Sequence, residues 1–144
     1  MLIASLDILD ETGPDAITIR EVARRAGVSH AAPVNHFKDR EALLTEVAAT
    51  LFHDLKSEIG KALSKDKKAP AERAKAFADG LIRYGLKNPN RYRMLWRRDL
   101  VDTEDARLTR AMDGIYDDLI GEIAKSRKQR GFDDDTIAIG LWSM

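Results

Sequence analysis

The chain has 144 residues, enough for one good hydrophobic core or for a small module joined to a larger helical body, and too few for two full-sized domains. It contains no cysteine, which removes disulfide frameworks and thiolate metal sites, and no apolar run approaches the roughly 18 residues of a membrane-spanning helix. Its 24 basic and 24 acidic residues cancel, so composition alone does not advertise a nucleic-acid partner.

Proline and glycine are sparse, apolar residues recur every three or four positions and no stretch alternates β-branched residues, so the fold class is all-α. After Met1 comes LIASLDILDETG, which is acidic early and lacks the basic start of a signal peptide; a soluble, cytoplasmic chain with no membrane partner is expected. A first helix carries Leu2, Ile3, Leu6 and Leu9 as its stripe and stops at Thr12-Gly13-Pro14. Thr18, with Glu21 three residues on, has the spacing of a capping box and opens a second short helix that buries Ile19, Val22, Ala23 and Ala26. Gly27 supplies the positive φ of a sharp turn, Val28 drops towards the core, and Ser29 caps a third short helix.

Asp39 caps a long fourth helix with the stripe Leu43, Leu44, Val47, Leu51, Leu55, Ile59 and Leu63, and SKDKKAP, Ser64 to Pro70, is the clearest break in the chain. Ala74, Phe77, Ala78, Leu81, Ile82 and Leu86 mark a fifth helix. Asn88-Pro89 caps and opens a short sixth through Tyr92, Leu95 and Trp96. A further helix starts near Asp102 and carries Leu108, Met112, Ile115, Leu119 and Ile123 as far as Gly131. A last one begins near Asp133 and is still in pattern at Met144, which leaves the expectation that the natural chain continues.

Function concentrates in AGVSHAAPVNHFKDREALL, Ala26 to Leu44. Helix, glycine turn, helix is the outline of a helix-turn-helix, whose second helix enters the DNA major groove. A groove about 12 Å wide favours small side chains on the leading face, which His30, Ala31, Ala32 and Pro33 provide where a core helix would bring Leu or Phe. From Ala16 to Arg40 five basic residues face two acidic ones, a local balance of +3 with His30 and His36 in addition, while the first fifteen residues hold Asp7, Asp10, Glu11 and Asp15 and no base.

The stretch TIREVARRAGVSHAAPVNHFKDREALL, Thr18 to Leu44, resembles the DNA-binding signature of TetR-type (tetracycline-repressor-like) transcriptional regulators over about the first third of the chain. More weakly, Phe77 to Trp96 and the terminal GLWS resemble the C-terminal domain of a subgroup with a Trp then His-Gly motif, which the chain ends too early to complete. The resemblance implies an N-terminal three-helix DNA-binding domain, residues 1–45, joined through the long fourth helix to a helical-bundle ligand-binding and dimerisation domain, residues 46–144. It implies that Thr18, Ser29, His36 and Lys38 hold phosphates of a double-stranded operator, that His30, Ala31 and Asn35 face the groove, and that Phe37 anchors the recognition helix from behind. Asn35 suits adenine and Ala31 a thymine methyl. The implied protein is a dimeric, effector-responsive repressor. Val34, where family members usually carry a tyrosine, and the absence of a basic arm before Leu2 point to weaker or narrower DNA binding than is typical.

Tyr84, Met94, Trp96, Met112 and Tyr116 are the candidates for a small-molecule effector site, with plain core packing as the competing reading, because apolar residues at helical spacing are what packing requires. The two tyrosines are favoured because a buried hydroxyl needs a partner. Arg91, Arg93, Arg97 and Arg98 read as a solvated face. No metal, cofactor or catalytic group is expected: His30 and His36 fall on different sides of a helix, His53 is distant, and no phosphate loop or nucleophile elbow occurs. The alternative function is a helical interaction or small-molecule-binding module that has lost DNA regulation through truncation.

Overall fold

The computed structural model describes residues 1–28, 37–64 and 70–126. Among them are six α-helices and two 3-10 turns: α1 (Leu2–Thr12), a turn at Pro14–Ala16, α2 (Ile19–Ala26), α3 (Arg40–Ser64), α4 (Pro70–Lys87), α5 (Pro89–Leu95), a turn at Arg98–Leu100, and α6 (Ala106–Ser126). The expected third short helix and the last helix near Asp133 lie outside the described residues, so the long helix counted fourth in the sequence is α3 here.

Helix α3 packs along α4 and α6 and also meets α1 and α5, while α2 packs on α1. One hydrophobic cluster runs without interruption from Ala4 in α1 to Ile123 in α6. The α3 stripe is as the sequence indicates, with Leu43, Leu44, Val47, Leu51, Leu55 and Ile59 all buried; Phe52 joins them and Leu63 is half-buried. Asp39 caps this helix by accepting from the backbone N–H of Ala42 at 2.9 Å.

Two stripes need correction. In α1 the buried line is Ala4, Ser5, Ile8 and Leu9, whereas Ile3 is 76% exposed. Ser5 tolerates burial because its hydroxyl donates to the Met1 carbonyl at 3.1 Å, an option that counting apolar residues overlooks. In α4 the buried line is Ala76, Phe77, Gly80 and Tyr84, while Ile82 and Leu86 face outward at 58% and 81% exposure. The cause is Gly80: its Cα passes so close to α3 that a Cβ there would sit 3.1 Å from the Ile59 Cα, which turns the small-residue side of α4 inward.

Two helix boundaries also differ in their chemistry. Pro89 does open α5, but the Asn88 side chain donates backward to the Tyr84 carbonyl at 3.2 Å and so finishes α4 instead of capping α5. Helix α6 starts at Ala106, four residues after Asp102. Its cap is Asp105, whose carboxylate accepts from the backbone N–H groups of Arg107 (2.9 Å) and Leu108 (3.0 Å). The Leu108 bond, with lesser help from Arg107, holds the Asp105 carboxyl below its ordinary 3.8. A depressed folded value stabilises above the unfolded value and is lost as pH falls through the folded one. Asp105→Ala is therefore expected to cost about 1 kcal/mol in urea unfolding at pH 7. The difference from the parent should shrink as the pH is lowered from about 5 towards 2.

Candidate nucleic-acid interface

The local chemistry of α2 fixes the corner on which a following helix would be presented. Thr18 is extended (φ −125°) and its hydroxyl oxygen accepts from the Glu21 N–H at 3.1 Å, as the capping-box spacing predicts. The reciprocal half of the box is replaced by an ion pair: Glu21 accepts two bonds from Arg24, at 2.6 and 2.8 Å, and the Arg24 bond holds its carboxyl below the usual range. The Thr18 hydroxyl proton remains available, and the residue is exposed at a helix N-terminus, where oxyanions are favoured.

At the other end Gly27 takes φ 66°, ψ 25°; its N–H donates to the Arg24 carbonyl (3.3 Å) and that of Val28 to the Ala23 carbonyl (3.1 Å). This paired closure is a Schellman motif, and it turns the chain sharply towards residue 29. Val28, expected in the core, is 40% exposed, because the turn carries it out past the end of α2. No atom lies within 4 Å of a Cβ at Gly27, so the obstacle to substitution is backbone strain alone. Gly27→Val is expected to destabilise by about 1–2 kcal/mol in urea titration, the cost of a left-handed conformation for a side-chain-bearing residue.

On the far side of the corner, Phe37 is half-buried against the core, consistent with an anchor, and the Lys38 side chain is 90% exposed, with only a loose 4.0 Å approach to Asp39. Arg40 brings the two flanks together. Its guanidinium donates to the carbonyls of Ile17 (2.6 Å) and Pro14 (3.1 Å), which sets the chain around Lys38 beside that around Thr18. Arg25 ties α2 to α1 through Glu11 at 2.7 Å. Ser29, His30, Ala31, Asn35 and His36 lie outside the described residues.

The effector candidates separate. Tyr84 and Met94 are buried in the core cluster, Met112 and Tyr116 are half-buried against it, and Trp96 is 37% exposed, in edge contact with Tyr92 at 5.7 Å between ring centres. Burial pushes the Tyr84 phenol well above its ordinary value, and its hydroxyl makes a long 3.5 Å bond to the Leu51 carbonyl.

Two of the four arginines read as a solvated face, Arg91 and Arg97, have specific carboxylate partners. Arg91 donates twice to Asp10 of α1 (2.7 and 2.8 Å) and once to Asp54 of α3 (3.5 Å), and Arg97 reaches Asp15 at 3.2 Å as well as Asp99. Asn90 adds a bond to the Asp10 carbonyl at 3.0 Å. Sequence reading missed these groups, although the signal was present as an acidic first fifteen residues facing a basic 91–98. Among the described residues no cluster of His, Asp or Glu has a metal-holding arrangement, and no helix is long and apolar enough to cross a membrane.

A capped short helix, a glycine corner and an exposed lysine flank, set on a long helix that continues into a bundle, are the described surroundings in which a helix-turn-helix is expected. Residues 2–47, about a third of the chain, match the family described as bacterial regulatory proteins, tetR family. It is 26% identical over 113 residues to the HTH-type transcriptional regulator BetI of Stenotrophomonas maltophilia, a match spanning 76% of this chain and 58% of that protein. Over 49 residues it is 41% identical to the class A tetracycline repressor protein from transposon 1721 of Escherichia coli, 34% of this chain and 23% of that one. The chain thus spans little more than half the length of the first of these relatives and under a quarter of the second. By fold it is similar to a protein of unknown function from Rhodococcus sp. RHA1 (TM-score 0.85, 24% identity, 99% of this chain and 75% of that one). It is also similar to the TetR family transcriptional regulator PfmR from Thermus thermophilus (TM-score 0.75, 22% identity, 99% and 79%).

Proposed function

We propose that the chain is a sequence-specific DNA-binding transcriptional regulator, acting as a dimer on a pseudo-palindromic operator and responding to a small-molecule effector, most simply as a repressor. In this reading residues 1–45 are a DNA-reading head and residues 46–144 a body that binds effector and dimerises. The observation that carries it is the corner itself: Thr18 and Lys38 flank the segment after Gly27 with exposed donors, while Arg40 braces the two flanks. Thr18, Ser29, His36 and Lys38 would hold phosphates, and His30, Ala31 and Asn35 would face base edges. Phosphate contacts set register and base-edge contacts set sequence. An effector bound in the body would act by binding one spacing of the two heads better than another, with α3, continuous from Arg40 to Ser64, as the connecting rod.

Fluorescence anisotropy on duplexes tests the assignment. Lys38→Ala is expected to weaken all duplexes about equally and to lower the salt slope by about one, whereas Asn35→Ala should relax base preference at one position and cost about 1–3 kcal/mol on the preferred site. If both variants bind every duplex as the parent does, this docking is wrong.

A further inference from the structure

The seam between α3 and α6 is closed at two levels by cation–carboxylate pairs. Near the N-terminal end of both helices Arg107 meets Glu46 at 2.5 Å, and further along Lys56 meets Asp118 at 3.2 Å and the Gly114 carbonyl at 3.1 Å. Between these levels the pattern fails. Arg110 and His53 stand at the seam with no carboxylate partner among the described residues, beside an open cleft of about 260 Å³ that Glu46, already paired with Arg107, also lines. The buried methyls of Ala49 and Ala111, with Thr50, form its wall. Small residues at 49 and 111 create the space, and the Thr50 hydroxyl is already donating to the Glu46 carbonyl at 2.9 Å.

We propose that this cleft binds a small organic carboxylate, which supplies the missing acid of the seam: its oxygens pair with Arg110 and His53 while a short apolar tail lies against Ala49 and Ala111. The planar guanidinium fork matches a carboxylate, and a neutral or protonated imidazole offers an N–H in either state. The apolar wall favours an organic acid over a bare inorganic ion. The volume lies just below the roughly 300–1,000 Å³ of drug-sized sites, which limits the ligand to one ring or a short chain. Because Arg107 also lines the cleft, a bound carboxylate competes with Glu46 for that side chain and so bears on the rung that fixes α3 to α6. This last step rests on the effector reading above; binding itself does not.

The test is a titration of the ¹⁵N-labelled chain with benzoate, beside inorganic phosphate and sodium chloride at matched ionic strength. Saturable amide shifts confined to residues 46–53 and 107–111 are expected, with binding weakened roughly tenfold or more by Arg110→Gln and less by His53→Ala. Arg110 is exposed, so its variant should melt like the parent. Shifts that do not saturate, that fall elsewhere, or that survive Arg110→Gln overturn the site, and phosphate binding as tightly as benzoate overturns the assignment to an organic acid. Anisotropy on duplex DNA with and without saturating benzoate reads the regulatory step separately. Unchanged DNA affinity with the cleft filled overturns that step and leaves the site standing, and a chain that binds no DNA at all fails the regulator reading alone.

Discussion

Gly80→Leu is expected to destabilise the body by about 3 kcal/mol or more, read as a fall in the urea midpoint at unchanged slope. The Cβ alone would sit 3.1 Å from the Ile59 Cα and 3.4 Å from both the Ala62 Cβ and the Ile59 Cγ1. The first of these neighbours is backbone and cannot rotate away, so a larger side chain must push α4 off α3. That displacement breaks the packing of Phe77 and Tyr84, both of which belong to the continuous core. Alanine at the same position is less informative, because a gain of up to about 1 kcal/mol in helix propensity opposes the close contact. Gly60, on α3 with open space around its Cβ, is the control: Gly60→Ala should stabilise by up to about 1 kcal/mol.

Arg91→Ala is expected to loosen the N-terminal helices from the rest of the chain. Arg91 is three-quarters buried and is shared by two carboxylates, Asp10 on α1 and Asp54 on α3, so its removal deletes both pairs and leaves two like charges across one junction. Each pair is partly solvated, which keeps the combined loss to about 1–2 kcal/mol. The larger effect should appear in hydrogen exchange: amides of α1 exchange faster in the variant, while those of α3 beyond Leu55 stay as in the parent. Arg91→Lys should restore only part of the protection, since an ammonium cannot make the two parallel bonds to Asp10. Equal exchange in α1 for parent and variant would mean that this junction does not hold the head.

These two sites show where the sequence could be read and where it could not. The Thr18 cap, the Gly27 turn, the Asp39 cap and the α3 stripe are local, each decided by residues within a few positions, and all are found as expected. The inward side of α4 depends on a glycine meeting a helix about twenty positions earlier, so counting apolar residues placed Ile82 and Leu86 on the wrong face. The Arg91–Asp10 and Arg97–Asp15 pairs span about eighty residues and leave no periodic trace. The α3–α6 cleft is legible only by contrast with the pairs above and below it, which no single sequence displays. Asp105 was missed as the α6 cap because Asp102, three residues earlier, has the same chemistry; Asp102 donates its backbone N–H to the Thr45 hydroxyl at 2.9 Å and its carboxylate accepts from the Glu104 N–H.

The proposed regulator would read DNA by sequence as a symmetric assembly. Selection from random duplex DNA at moderate salt, with sedimentation of the same sample, tests it most directly. Recovery of one palindromic sequence with half-sites about one helical turn apart, carried by a species of dimer mass, is the predicted result. Recovery of no preferred sequence, with salt-sensitive binding by a monomer, would contradict it.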